Sequence, residues 1–249
     1  MSAGRQEERP RSSFDLGRRV VIDKPLRWTS FDVVNKFRYE LSKALGVKRI
    51  KVGHAGTLDP LATGVVVVCT GKATKEIDEI QKGLKHYVTT LKLGETTPSF
   101  DLESEPDGVY PFEHITREMV EGALGAFVGE IDQVPPLFSA VNVGGTRAYK
   151  LARKGRETEL EARRIYIEEI ILTGFDLPSV TLEITCGKGT YIRALARDLG
   201  TALGSGAHLT SLRRTRVGDF TLTGAIQTEE IRSFIRKELE REGYPAIEQ

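Results

Sequence analysis

Five consecutive apolar residues, Val65-Val66-Val67-Val68-Cys69, constrain the fold of this chain more than any other feature. Four of them are β-branched, and a run without a polar face belongs to a strand buried on both sides. Immediately before it stands Gly53-His54-Ala55-Gly56-Thr57-Leu58-Asp59-Pro60-Leu61-Ala62-Thr63-Gly64. Three glycines let this backbone turn tightly or approach a ligand closely, and Pro60 biases Asp59 towards an extended conformation. The segment reads as a loop that anchors one carboxylate on a rigid strand, a common way to build a site. An Asp-Pro pair in a glycine-rich loop also suits a plain turn or helix cap, so Asp59 alone does not establish chemistry.

With 249 residues and 39% apolar content, the chain has material for one large domain or two small ones with an ample core. Cys69 and Cys186 both lie in apolar strand-like runs, which predicts buried free thiols in a reducing compartment. No stretch approaches the roughly 18 apolar residues of a membrane span, and a cytoplasmic location is expected. The 36 basic and 35 acidic residues nearly cancel, but the basic ones cluster. Arg147, Lys150, Arg153, Lys154 and Arg156 are followed by Arg163 and Arg164, and Arg213, Arg214 and Arg216 form a further group. These clusters read either as a phosphate-binding face or as solvated surface.

Residues 1–16 read as a flexible arm. A strand opens at Arg19, and Thr29-Ser30 caps a helix that runs to about Leu45. The valine strand follows the Asp59 loop. Next come a helix near residues 73–81, an alternating strand over 85–93 and a long mobile loop over 94–111. Thr116 opens another helix, residues 139–143 read as a strand and 148–154 as a helix. Strands at 163–174 and 179–186, a helix at 194–203 and a last helix at 228–241 complete the pattern. This irregular mixture predicts an α+β fold with a mixed, mainly antiparallel sheet, one catalytic domain over 17–225, and a C-terminal helix and tail over 226–249.

Known nucleotide and metal signatures are absent from the sequence. Gly71-Lys72 lacks the glycine spacing of a phosphate-binding loop, and Gly187-Lys188-Gly189 lacks the third glycine of a dinucleotide site. His54, His86, His114 and His208 have no paired ligand spacing, and no Gly-x-Ser-x-Gly elbow occurs. Neither a cofactor nor a metal is expected.

Four segments taken together are more specific: Asp23-Lys24-Pro25 with Thr29-Ser30; the Asp59 loop; Lys85-His86-Tyr87 before Leu93-Gly94; and Gly189-Thr190-Tyr191-Ile192-Arg193 with Asp198-Leu199-Gly200. In this order the chain resembles the TruB-type tRNA pseudouridine synthases, from about Gly17 to Gly224. The resemblance includes Gln133-Val134-Pro135-Pro136 and Leu212-Arg213-Arg214. It implies a pseudouridine-synthase fold and an isomerase that converts uridine 55 in the TΨC arm of tRNA by base flipping, without cofactor or guide RNA, as a monomer.

By the same resemblance Asp59 is the nucleophile, Arg193 pairs with it, and Tyr87 stacks on the base as a candidate for proton transfer. Tyr191 and Leu212 line the uridine pocket, and His54 fills the gap left by the flipped base. Lys24 is expected to support the loop or to meet a phosphate. Two departures stand out. Thr97-Pro98-Ser99-Phe100-Asp101-Leu102-Glu103 differs from the family's more Thr- and Asp-rich pattern, which withholds an RNA contact from Asp101. Only about 25 residues follow Gly224, too few for the PUA domain that many members carry, so the basic clusters are expected to supply the phosphate contacts. An RNA-binding protein that opens the TΨC arm without modifying it is the rival reading.

Overall fold

The structure, a computed structural model, describes residues 10–139, 141–148 and 160–244. Helix α1 (Ser13–Leu16) leads to β1 (Arg19–Lys24), α2 (Ser30–Leu45), β2 (Val52–His54) and β3 (Ala62–Thr70). A 3-10 turn (Gly71–Glu76) runs into α3 (Ile77–Ile80), followed by β4 (Lys85–Leu93), the short β5 (Glu95–Thr96) and β6 (Gly108–Val109), and α4 (Arg117–Leu124). Then come β7 (Gly129–Gln133), β8 (Asn142–Val143), β9 (Thr146–Arg147), β10 (Arg163–Asp176), β11 (Ser179–Cys186) and α5 (Ile192–Ala202). The described chain closes with β12 (Ala207–Val217), β13 (Phe220–Thr221), β14 (Ile226–Gln227) and α6 (Ile231–Arg241).

One large sheet runs β14-β1-β3-β12-β4-β11-β10-β7, with β2 paired to β3 and β13 to β12. Its pairings are antiparallel except β1 with β14 and β3 with β12. The fold is therefore α+β with a mixed, mainly antiparallel sheet. The valine run explains itself in β3. Val66 and Val68 enter the main core, while Val65, Val67 and Cys69 enter a second cluster with Ala55, Ala73 and Val217. Each face is apolar because each face is covered, and every buried valine contributes about 1.5–3 kcal/mol.

Helix α2 starts where Thr29 and Asp32 form a reciprocal capping box and ends at left-handed Gly46. Its Val33, Val34, Phe37, Leu41 and Leu45 repeat at helical spacing and are buried. The alternation read in residues 85–93 is that of β4, whose odd-numbered side chains are buried. Several expectations differ in detail. Phe14 is fully buried against Phe37 in edge-to-face contact, so order begins within the expected arm. Residues 94–111 are tied down by the β5–β6 pair and by Gly94 N–H donating to the Gly206 carbonyl. The 139–143 strand shrinks to β8, and the helix expected over 148–154 lies beyond the described residues after Ala148. Residues 226–244 are integrated rather than appended, since β14 extends the sheet beside β1 and α6 packs on α2.

One close approach fixes the strand below the Asp59 loop. Gly64 has φ 107°, and a Cβ there would lie 2.1 Å from the Arg214 carbonyl oxygen on β12. Gly64→Ala is expected to cost at least about 3 kcal/mol, because both strain and overlap fall on sheet backbone; urea unfolding measures it.

Candidate active site

Residues 55–61 join β2 to β3 without regular structure, so their backbone groups need partners outside a ladder. Side chains from three elements supply them. From β12, Arg214 donates to the carbonyls of Gly56 (3.1 Å), Thr57 (3.2 Å) and Val65 (2.9 Å). From α2, the Ser30 hydroxyl accepts from Leu58 N–H at 2.8 Å and donates to the Leu58 carbonyl at 3.3 Å. From β1, the Lys24 ammonium donates to the carbonyls of Trp28 (2.5 Å), Pro25 (3.0 Å) and Pro60 (3.4 Å). A turn closes over Asp59 itself, with Ala62 N–H donating to the Asp59 carbonyl at 3.1 Å. The loop is thus held at Gly56, Thr57, Leu58, Asp59 and Pro60, and the carboxylate direction is preset.

Arg193 fixes the carboxylate itself. The Gln133 side chain grips the peptide of Tyr191 from both sides, accepting from its N–H at 2.9 Å and donating to its carbonyl at 3.2 Å, where α5 begins. Two residues on, Arg193 is buried and donates through Nε to Asp59 Oδ2 (2.9 Å), and through its terminal nitrogens to the carbonyls of Ser99 (3.1 Å) and Phe138 (2.9 Å). Asp101 Oδ2 lies 3.7 Å from the same Nε. Two carboxylates beside the first turn of α5 also suit the positive end of the helix. Three acceptors hold the buried guanidinium, while the Asp59 side chain keeps 36% of its surface exposed. Asp59 Oδ1 has no hydrogen-bond partner among the described residues.

Asp59 opens onto a cavity of about 200 Å³ whose wall includes Leu26, Leu61, Leu102, Leu209 and Leu212, with Arg27, Asp101, Arg193, Thr210 and Ser211 supplying polar groups. Drug-sized sites run to about 300–1,000 Å³, so this slot suits a single flat ring. Among the described residues no group of three or more His, Cys, Asp or Glu side chains is placed to hold a metal ion. No helix among them is long and apolar enough to cross a membrane.

Of the residues singled out from the sequence, Asp59, Arg193 and Leu212 meet at this cavity. Tyr87 is not among the lining residues and is buried on β4 opposite Arg214. Burial pushes its phenol pKa up, against the pull of the Arg214 guanidinium, so it stays protonated at neutral pH. His54 and Tyr191 stand outside the cavity wall, His54 at the end of β2 with burial lowering its imidazole pKa. Lys24 is fully buried, a geometry that braces the loop and presents nothing to an RNA phosphate. Burial also pushes its ammonium down to about 8, although the Asp59 charge opposes the shift.

Within the cluster at 213–216, Arg214 needs correction as part of a phosphate face. Arg214 is 2% exposed and spent on carbonyls, and Arg213 is engaged by Asp23 at 2.7 Å and Thr63 at 3.2 Å. Arg164 faces Asp132 and Glu130 on β7, the side chain of Arg147 is not described, and Lys150, Arg153, Lys154 and Arg156 lie outside the described residues. Both cysteines are free and buried, with thiols pushed up to about 11 by burial.

A second buried lysine gives a pH signature. Lys85 donates to the carbonyls of Gln81 and Gly83, and burial lowers it from its ordinary 10.5 to about 8. Between these values the unfolded chain holds a proton that the folded protein has released, so stability rises with pH there. Lys85→Met lacks this term. The stability of the unaltered protein relative to Lys85→Met is therefore expected to increase from pH 8 to 10, as read from urea midpoints.

Comparison with known proteins agrees with this architecture. Residues 42–192 match the family model described as TruB family pseudouridylate synthase (N terminal domain), and residues 193–245 match the tRNA pseudouridylate synthase B C-terminal domain. The boundary between the two falls inside α5, and β12 from the second segment lies in the middle of the sheet. A Parabacteroides distasonis protein named tRNA pseudouridine synthase B is 62% identical over 90% of this chain and 95% of its own length. One of the same name from Thermobifida fusca is 47% identical over 85% of this chain and 73% of its own. Among solved structures, a chain of a Cbf5-Nop10-Gar1 complex superposes with a TM-score of 0.70 at 27% identity, covering 93% of this chain. This chain spans 58% of that one's length. The fold, the site and these relatives lead to one assignment: the chain belongs to the TruB family of pseudouridylate synthases.

Proposed function

We propose that this protein isomerises uridine 55 in the TΨC arm of tRNA to pseudouridine, acting as a monomer in the cytoplasm without cofactor or guide RNA. The observation that carries this reading is the Asp59 carboxylate, presented to a one-ring cavity by a braced loop, with Oδ2 held by buried Arg193 and Oδ1 free. The relatives' shared name supports tRNA as the substrate.

The target nucleotide leaves the RNA stack, at a cost of a few kcal/mol, and its base enters between the leucines. Asp59 attacks the nucleoside, at ribose C1′ or at the uracil ring, as carboxylates do in covalent glycosyl transfer. The N1–C1′ bond breaks, the base turns within the cavity, a C5–C1′ bond forms, and the bond to Asp59 breaks to regenerate the carboxylate. The proton on C5 leaves and N1 gains one, so the reaction needs no oxidant, reductant or water. Apolar walls that keep the base in place and solvent out suit this chemistry. Arg193 holds the nucleophile in line, and Tyr87, kept as a phenol, is the candidate to move a proton at the sugar. His54 takes the place of the departed base, Leu212 borders the pocket, Tyr191 opens the helix that presents Arg193, and Lys24 acts through the loop.

The test is direct. Purified protein is incubated with a tRNA transcript in chelator, and pseudouridine is mapped along the RNA. A single product at uridine 55 is expected; conversion elsewhere, or none, contradicts the proposal.

A further inference from the structure

Arg27 has a backbone that its side chain does not favour. Its φ is 66°, in the left-handed region where a Cβ is crowded, and Phe100 is the other non-glycine residue with positive φ among those described. The conformation is enforced from the active-site loop, because Arg27 N–H donates to the Pro60 carbonyl at 2.7 Å. Strain of this kind next to a reactive group is a reason to ask what the residue is positioned to do.

Its side chain is exposed, lines the Asp59 cavity and has no partner among the described residues. Nearby cations are committed elsewhere. Arg193 serves Asp59 and two carbonyls, Arg214 and Lys24 serve the loop, and Arg213 serves Asp23. Charge at the wall gives the same answer. Asp59 and Asp101 outnumber Arg193, so without Arg27 the cavity presents net negative charge to a polyanion.

We propose that Arg27 grips a backbone phosphate of the RNA strand beside the nucleotide that enters the cavity. A base cannot enter this slot unless its own phosphodiesters reach the lip, and a guanidinium there can form paired hydrogen bonds to one of them. The inference rests on the proposed RNA substrate and deepens it. Arg27 acts in binding and register, not in bond exchange.

The experiment reads binding apart from turnover, by fluorescence anisotropy of a labelled TΨC stem-loop over a series of salt concentrations. Arg27→Gln is expected to weaken binding about tenfold, and the slope of log Kd against log salt is expected to fall by about 0.7, the value for one contact to a single strand. Arg27→Lys retains the slope. Arg27→Gly relieves the backbone yet binds as weakly as Arg27→Gln, whereas a purely conformational role predicts that it binds like the unaltered protein. In steady-state assays KM rises with kcat moved far less. A neutral methylphosphonate beside the target uridine is expected to weaken the unaltered protein but to leave Arg27→Gln within about twofold. An unchanged salt slope in Arg27→Gln, or an equal methylphosphonate penalty in both proteins, overturns the inference. A protein that binds the stem-loop without converting it overturns the proposed function while the slopes still decide Arg27; one that does not bind it overturns both.

Discussion

Asp59→Asn is expected to lower turnover of the TΨC stem-loop by at least about 10⁴-fold while leaving its Kd within about threefold, the pattern of a lost nucleophile rather than a lost contact. The substitution is nearly isosteric. The Asn carbonyl oxygen can still accept from Arg193 Nε, and the backbone anchors at Gly56, Thr57, Leu58 and Pro60 do not involve the Asp59 side chain. Arg193 keeps Asp101 beside it, so no buried charge is stranded. What disappears is the ability to form and release a bond to the nucleoside. Rapid-mixing turnover measurements together with anisotropy separate these effects. If RNA binding alone were this protein's role, both readouts would stay unchanged.

Arg193 carries the second large effect, and two substitutions divide it. Arg193→Met removes the cation between Asp59 and Asp101 and leaves the carbonyls of Ser99 and Phe138 without their donor. Breaking a buried pair in this way is expected to cost about 3–5 kcal/mol, seen as a lower urea midpoint. Arg193→Lys keeps the charge and more of the stability. One ammonium cannot reproduce the planar fork that binds a carboxylate and two carbonyls at once, so kcat is still expected to fall by about 10²-fold through misplacement of Asp59. Loss of stability with full turnover in Arg193→Lys would mean that Arg193 only holds the fold.

Legibility in the sequence followed how local each signal is. The valine run and the 85–93 alternation state the exposure of their own strands, and the Thr29-Asp32 cap states where α2 begins. Motif spacing also brought Asp59 and Arg193 together across 134 positions, through resemblance rather than through any local pattern. Arg213 and Arg214 were misleading for a structural reason. Adjacent residues of β12 point to opposite faces, so one arginine meets Asp23 while the other enters the core. Register shifts at Leu209/Ser211 and Arg214/Arg216 decide which residue goes where, and charge counting contains no information about them. Asp101 and Arg27 were missed as parts of the site for a related reason. Their importance comes from a cavity assembled by β3, β12, α5 and three loops. Gln133 was visible only as part of a motif, and its grip on Tyr191 gives that motif a physical purpose.

Moving uracil from an N1 to a C5 linkage at the Asp59 carboxylate obliges the C5 hydrogen to leave. A stem-loop carrying tritium at C5 of the target uridine, mixed with excess protein in a single turnover, tests this most directly. With Asp59 as nucleophile, one tritium is expected to be released per stem-loop bound by the unaltered protein, and none above background for Asp59→Asn at equal RNA occupancy. Release by Asp59→Asn at within tenfold of the unaltered rate would contradict that role.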